Sequence, residues 1–473
     1  MVYPCGLLLG LSVLGLARSG YGQTTPQING IAPSQASGPT AQSFQGSVTK
    51  GEATGQTIDL TLDDAIQRGL KNNLGVILSA TQTASARGQR LSQLQSLLPS
   101  VDGSFKDTVA QTDLPAEGLR IPGFPTIIGP FGYQDLRGSL NWSLVNVASL
   151  RNYLASRHNF VSAQLSAEDA RDMVVLTVGN AYLLVLADES QVSSVEAQVA
   201  TSKVSLDQAV ANHDAGTAPM IDELRARVDY QSLQQQLIVA KNSLEKDKLA
   251  LARTIGLPLA QSFNLADKEP YKPFDELDVE ATIRQAHANR KDLASMVEQV
   301  KAADEQRKAA TADRFPTLAF SGDYGDIGVN LSRSHGTGDA TGTLSAPLFA
   351  EFALRGEALV AQSTLDTDQA KLSDENAQVD ADIRDALLDI RSAQQQVEVA
   401  RSSVDLANEA LKEAQERYKN GVDDNLAVSQ AEQSVAQADN QYVTSLYRHN
   451  VAKLSLARAM GAGQSYQNYL GGK

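Results

Sequence analysis

The stretch LRGSLNWSL, residues 136–144, decides the fold. Leu136, Gly138, Leu140, Trp142 and Leu144 alternate with Arg137, Ser139, Asn141 and Ser143, which gives an extended chain one apolar and one polar face. Three more stretches repeat the pattern. Gly342, Leu344, Ala346 and Leu348 alternate with Thr341, Thr343, Ser345 and Pro347; Leu318, Phe320, Gly322 and Tyr324 with Ala319, Ser321 and Asp323; Val101, Gly103 and Phe105 with Asp102, Ser104 and Lys106. Ten of the 25 aromatic residues fall within residues 101–144 or 315–352, so aromatic surface is concentrated in these strands. Apolar-out, polar-in strands with concentrated aromatics suit a transmembrane barrel. A soluble antiparallel sheet with one wet face is the competing reading. Four strands cannot close on themselves, because the smallest membrane barrels have about eight and an open edge cannot face lipid. A barrel made from this chain must be shared between protomers.

Outside the strands the chain reads as rods. Residues 357–420 are 64 positions without a Gly or Pro, roughly 100 Å of helix at about 1.5 Å per residue. Leu365, Leu372, Val379, Leu387, Val397, Val404 and Leu411 keep a spacing near seven or its multiples with occasional slips, as supercoiled helices do. A coiled-coil dimer would share that spacing, and the strands argue against it.

The chain also repeats itself. An offset of 217 pairs Ile66 with Ile283, Asn72 with Asn289, Arg90 with Arg307, Pro99 with Pro316 and Ser104 with Ser321. An offset of 205 then pairs Ala181 with Ala386, Gln191 with Gln396, Leu206 with Leu411, Gly216 with Gly421 and Gly256 with Gly461. The change of offset places about twelve extra residues of the first copy in the Pro-rich stretch 114–130. The order in each copy is helix, strand pair, long helix, sharp turn, shorter helix.

Composition narrows the function. The 473 residues carry 41 Lys and Arg against 55 Asp and Glu, a net charge of −14. No cluster of basic residues is available to displace counterions from phosphates, which argues against a nucleic-acid partner. Residues 6–16 form an apolar run of signal-peptide length followed by small residues, so residues 1–22 read as an export signal, although no Lys or Arg precedes the run. Cys5, the single cysteine, lies in that leader, so an exported chain would form no disulfide or thiolate metal site. Residues 23–57, rich in Gly, Ser, Thr, Pro and Gln, read as a flexible segment. Residues 58–256 then form the first repeat with strands near 100–145, and 257–274 an equatorial linker. Residues 275–461 form the second repeat with strands near 316–349, and 462–473 a tail. No later stretch has about twenty uninterrupted apolar residues; residues 173–187 come closest and are as well explained by a buried helix face.

With these features in hand, the chain resembles the TolC-like outer-membrane efflux protein family. The likeness rests on LTLDDAIQRGLKNNL (60–74), LLPSVDGSF and RFPTLAFSG where helix turns into strand, RYKNGVDDNLAVSQAEQSVAQADNQY (417–442) and the closing LARAMG, and it covers residues 57–461. The resemblance implies a homotrimer, mostly helical, in which three sets of four strands make a 12-stranded barrel in outer-membrane lipid, continued by an α-helical coiled-coil tunnel in the periplasm. It implies a passive exit duct that partners a periplasmic adaptor and an inner-membrane transporter. The chain itself has no GxxxxGK[ST] phosphate loop with which to couple energy.

Candidate functional residues lie at the far ends of the long helices. In HDAGTAPMIDEL (213–224) and YKNGVDDNL (418–426), Gly216 and Gly421 fit helix ends in the left-handed conformation, and Asp222 or Asp424 is placed to cap the returning helix. The resemblance makes these turns the adaptor-docking tips and puts an acidic ring nearby. The family's DVLDAQ pattern reads LAVSQA here, with Ala427 and Gln430 in place of the acids, so the expected ring is Asp222, Glu223, Asp423 and Asp424, favouring cations. Tyr418 stands where the family latches neighbouring helices. Tyr133, Trp142, Phe315 and Phe349 are candidate membrane-interface aromatics.

No catalytic reading gains support. His158, His213, His287, His335 and His449 are scattered without HExxH or similar spacing, and no GxSxG elbow or Cys/His pair occurs, so neither enzyme, metal nor cofactor is expected. The alternative function is a periplasmic coiled-coil adaptor or spacer without a pore. An adaptor would present one helical hairpin, and this chain has two.

Overall fold

A computed structural model describes residues 41–267, 271–275, 277–423 and 425–467, except for the Ala41 side chain. The expected export signal with Cys5, the start of the flexible segment, Asp424 and the end of the tail lie outside the described residues.

The chain runs through β1 (Ile58–Leu60), α1 (Leu62–Asn72), α2 (Leu74–Gln95), β2 (Ser100–Asp113), β3 (Ile127–Val145), α3 (Val147–Asp214), α4 (Met220–Ile255) and β4 (Phe263–Leu265). It then repeats as α5 (Val279–Asn289), α6 (Lys291–Ala312), β5 (Thr317–Gly328), β6 (Ser334–Ser345), α7 (Glu351–Lys419) and α8 (Asn425–Ala459). Adding 217 to the bounds of α1 and α2 gives those of α5 and α6, and adding 205 to Asp214 and Met220 gives Lys419 and Asn425. The duplication read from sequence is thus a duplication of structure, with its insertion between β2 and β3.

The rods are longer than glycine counting suggested. The 69 residues of α7 begin before Gly356, and the 68 of α3 run unbroken through Gly179. Gly179 is there for contact, because a Cβ would sit 2.6 Å from Leu454 Cδ1 on α8. One window of α3 is long and apolar enough to cross a membrane, but 61% of it is buried in protein. Val174, Val175, Val178, Tyr182, Leu183 and Val185 fill the main core with Ile66, Leu251, Ile255 and Leu454. This core lies where α1, α3, α4 and α8 meet the short parallel pair β1–β4. A second core joins α5 and α6 to α7 and α8 through Ile283, Leu293, Val379, Ile383, Ile390 and Leu456.

Part of the segment read as flexible is docked. Phe44 is buried, its carbonyl accepts from Asn73 Nδ2 at 2.7 Å, and Leu74 N–H donates to Gly46 O at 2.9 Å. One apolar anchor within a polar run overrides composition. Tyr466, in the expected tail, is likewise buried and donates to Asp63 at 2.7 Å.

The four long strands form one antiparallel sheet in the order β2-β3-β5-β6. The pairs Val101/Leu140, Phe105/Leu136, Gly138/Tyr324, Trp142/Phe320 and Leu318/Leu344 share one face, and Asp102/Ser139, Ser104/Arg137, Ser139/Asp323 and Asp323/Asp339 share the other. Arg137 binds Asp323, and reaches Asp135 at 3.2 Å and Thr337 at 3.1 Å across the polar face. Val101, Phe105, Leu136, Tyr324 and Leu344 are all exposed, so within one protomer the apolar face is bare. The outer edges of β2 and β6 are unpaired by any described strand. All four helices that enter or leave the sheet (α2, α3, α6, α7) attach at one end of it.

Candidate functional site

The site is built where the two long-helix hairpins turn. In each turn a glycine has positive φ, 72° at Gly216 and 70° at Gly421, and in both a Cβ would meet nothing within 4 Å, so the backbone angle alone selects glycine. The residue after each glycine donates to the carbonyl five positions back: Thr217 N–H to Asn212 O at 2.9 Å, and Val422 N–H to Arg417 O at 3.0 Å. This six-to-one bond closes the last helical turn and satisfies a carbonyl that would otherwise be orphaned.

Asp222 does not cap α4. Pro219 holds the N-cap position without a side-chain hydrogen bond, and Asp222 lies three residues on, in the first turn. A carboxylate there still favours the positive end of the helix dipole. Asp222 and Glu223 are both buried, the first 3.6 Å from Arg225 and the second 2.6 Å from Arg227 on the same helix. Asn425 Nδ2, from the start of α8, reaches Asp222 O at 3.4 Å, which brings the two turns together. Asp423 sits on the second turn, 3.3 Å from Arg417, and is partly exposed. The Tyr418 hydroxyl is buried and makes no hydrogen bond among the described residues.

Behind the tips runs a polar seam that the turn sequences alone do not reveal. Ser429 Oγ donates to Asp229 at 2.7 Å, Ser205 Oγ to Glu432 at 2.6 Å, and Ser194 Oγ and Gln198 Nε2 to Asp439 at 2.9 and 3.3 Å. These bonds tie α8 to α3 and α4. Burial pushes the Glu432 carboxyl above its usual range. The signal was in the sequence: Asn425, Glu432 and Asp439 are seven residues apart, the spacing that keeps one face of a supercoiled helix in a seam. A polar groove of about 480 Å³ lies along this seam, lined in part by Asp229, Gln236, Glu432 and Asn440.

Further along the hairpins, Asp188 on α3 faces Asp247 on α4. Burial first, and the neighbouring Asp247 carboxyl second, push Asp188 up to about 7. Nearer the second core, burial raises Asp169 to about 6 although Arg458 lies 2.6 Å away. Arg290 there binds Asp292 and Asp382, both at 2.6 Å. His158 and His287 each meet one acid, Glu298 at 2.6 Å and Asp380 at 2.7 Å. Among the described residues no group of three or more His, Cys, Asp or Glu is placed to hold a metal ion.

The candidate interface aromatics separate. Trp142 lies on the apolar face opposite Phe320, its indole N–H donating to Leu97 O at 3.3 Å. Phe315 and Phe349 are exposed at the junctions of sheet and helix. Tyr133 lies on the polar face, paired with Thr108 and stacked on Phe131 at 6.5 Å.

This architecture is shared with known proteins. The family described as outer membrane efflux protein matches residues 65–257 and 282–462. A probable efflux pump outer membrane protein, TtgC of Pseudomonas putida, is 24% identical over 422 residues, covering 86% of this chain and 84% of that one. The crystal structure of the Campylobacter jejuni CmeC outer membrane channel superposes with a TM-score of 0.75 at 19% identity, covering 89% of this chain and 92% of CmeC. The outer membrane protein VceC of Vibrio cholerae has the same fold, with a TM-score of 0.75 at 19% identity and 85% and 96% coverage.

Proposed function

The chain belongs to the outer membrane efflux protein family, and we infer from that membership and its bare apolar sheet that three copies form the exit duct of a tripartite efflux or type I secretion system. The protein is an outer-membrane channel with its helices in the periplasm, and it works with a periplasmic adaptor and an inner-membrane transporter. The observation that carries the reading is the four-stranded sheet with one uncovered apolar face and two unpaired edges. Lipid covers such a face, and only closure with other copies satisfies such edges. A pore-free spacer, the other reading, has no use for either feature.

Three chains contribute twelve strands to one barrel, polar face inward. Trp142 and Phe320 mark its periplasmic interface, and Phe315 and Phe349 flank the joint with the helices. The tunnel narrows at the hairpin tips. There Asp222, Glu223, Asp423 and Asp424 favour cations, Tyr418 finds its hydrogen-bond partner on a neighbouring protomer, and the Gly216 and Gly421 turns meet the adaptor. Opening separates α8 from α3 and α4, which costs little because the seam exchanges serine–carboxylate bonds for bonds to water. Walls of Ser, Gln, Asn and Asp bind solutes weakly, as conduction requires. The duct performs no chemical step.

Single-channel recording in a planar bilayer tests this. The wild type gives small cation-preferring steps, and the combined Asp222→Asn, Glu223→Gln, Asp423→Asn and Asp424→Asn protein gives steps several-fold larger with weaker cation preference. Steps unchanged by these substitutions contradict the acidic entrance. Silence from folded, inserted protein contradicts the channel.

A further inference from the structure

We propose that the β2–β3 hairpins of three protomers meet on the channel axis and form a hydrophobic gate over the external mouth. This rests on the trimeric duct inferred above.

The hairpin outgrows its own sheet. Pairing between β3 and β5 ends at Gln134/Gly328, whereas β2 and β3 continue pairing to Asp113/Ile127. The overhang of residues 127–133, seven in all, spans about 23 Å at about 3.3 Å per residue. Twelve strands about 4.8 Å apart and tilted about 40° enclose a barrel of radius about 12 Å. The hairpin is therefore long enough to reach the axis from the rim. It stands at the end of the sheet opposite the helices, which is the outside of the cell.

Its surface is wrong for a loop surrounded by water. Residues 114–131, LPAEGLRIPGFPTIIGPF, hold one acid and one base, Glu117 and Arg120. Leu119, Ile121, Phe124 and Ile127 are exposed together in one protomer. The equivalent link in the second copy, residues 329–333, is five residues long and carries no such tip. Phe131 and Tyr133 lie on the face that Asp135 and Arg137 share, which looks into the lumen. Above the membrane band the lumen side of the hairpin is thus aromatic.

The register slips between Ala110 and Thr112, opposite Gly129, whose φ is 114° and where a Cβ would lie 2.8 Å from Ala110 O. A bulge of this kind bends a strand pair, and it sits where the hairpin must leave the line of the barrel. The occupant of the apolar tip is a second copy of the same tip. The hairpin continues from β2, the edge strand at the seam between protomers, and a tip with no net charge has nothing to repel its symmetry mates. Three such tips make an apolar constriction that gates by excluding water.

Disulfide trapping in detergent-purified full-length protein, in a Cys5→Ser background, tests the proposal. Phe124→Cys and Ile121→Cys are oxidised separately, with Val109→Cys, on the outward face of the same hairpin, as the control. A trimer holding one disulfide links two of its three chains, so up to two-thirds of the chains run as dimers at the tip positions and almost none at the control. Oxidised tip variants then conduct several-fold less than the same channels after reduction. A trimer by native mass that traps no dimers at either tip position overturns the proposal. Dimers that form without changing conductance overturn the gate. Protein that is not trimeric fails the duct reading itself, which the native mass reports separately.

Discussion

Asp188 shows what a single residue does inside a helical wall. Its carboxyl is held up to about 7 by burial and by Asp247, while in an unfolded chain an aspartate titrates near about 3.9. The folded state therefore binds the extra proton between about pH 4 and about pH 7, and this residue's contribution to stability falls as pH rises through that window and is constant above it. We expect Asp188→Asn to remove the loss, so that the melting temperature of the variant relative to wild type increases from pH 4.5 to pH 8. Parallel melting curves across that range would contradict the assignment. Residue by residue, legibility followed locality. Gly216 and Gly421 were readable because a left-handed helix end is a property of one position. Asp222 was misplaced as a cap because Pro219 takes the N-cap, a choice between near neighbours that the sequence leaves open. Asp188 was invisible because its neighbour lies on another helix.

At the scale of elements, the seam between α8 and α3/α4 sets how readily the hairpins part. Its polar positions on α8 are Asn425, which is buried, and Glu432 and Asp439, which are half-buried, at a seven-residue spacing where an ordinary coiled coil has leucines. Replacing Ser205 by Ala and Glu432 by Leu together removes a half-buried carboxyl and its partner and leaves apolar contact, a change of the kind that stabilises desolvated polar sites. The double variant is expected to melt a few degrees higher and to pass solute more slowly in cells carrying the complete pump. A lower melting temperature, or unchanged export, would contradict the role given to the seam. The rods were legible from their lack of Gly and Pro, but their starts were not. Gly356 is carried inside α7 and Gly179 inside α3, the latter because Leu454 needs the space. The strands were legible because alternation is a period-two signal that no helix reproduces. The docking of residues 41–48 was hidden by their polar surroundings, since one buried phenylalanine anchors them.

For the whole molecule, the decisive property is closure. One chain supplies a four-stranded sheet whose apolar face and two edges find no partner among its described residues, and a lipid-facing sheet cannot be left open. The duplication was legible as two offsets, and the structure shows why the offset changes: the first copy spends its extra residues on the overhanging β2–β3 hairpin. The number of copies follows from neither offset nor alternation, because a protomer's sequence records its own edges and not how many neighbours they meet. The most direct test is the native mass of the protein extracted from the outer-membrane fraction in mild detergent, read beside its gel mobility before and after heating. Three chains per particle are expected, migrating as a trimer until heated. A monomer or dimer, or recovery of the folded chain in the soluble periplasmic fraction, would contradict it.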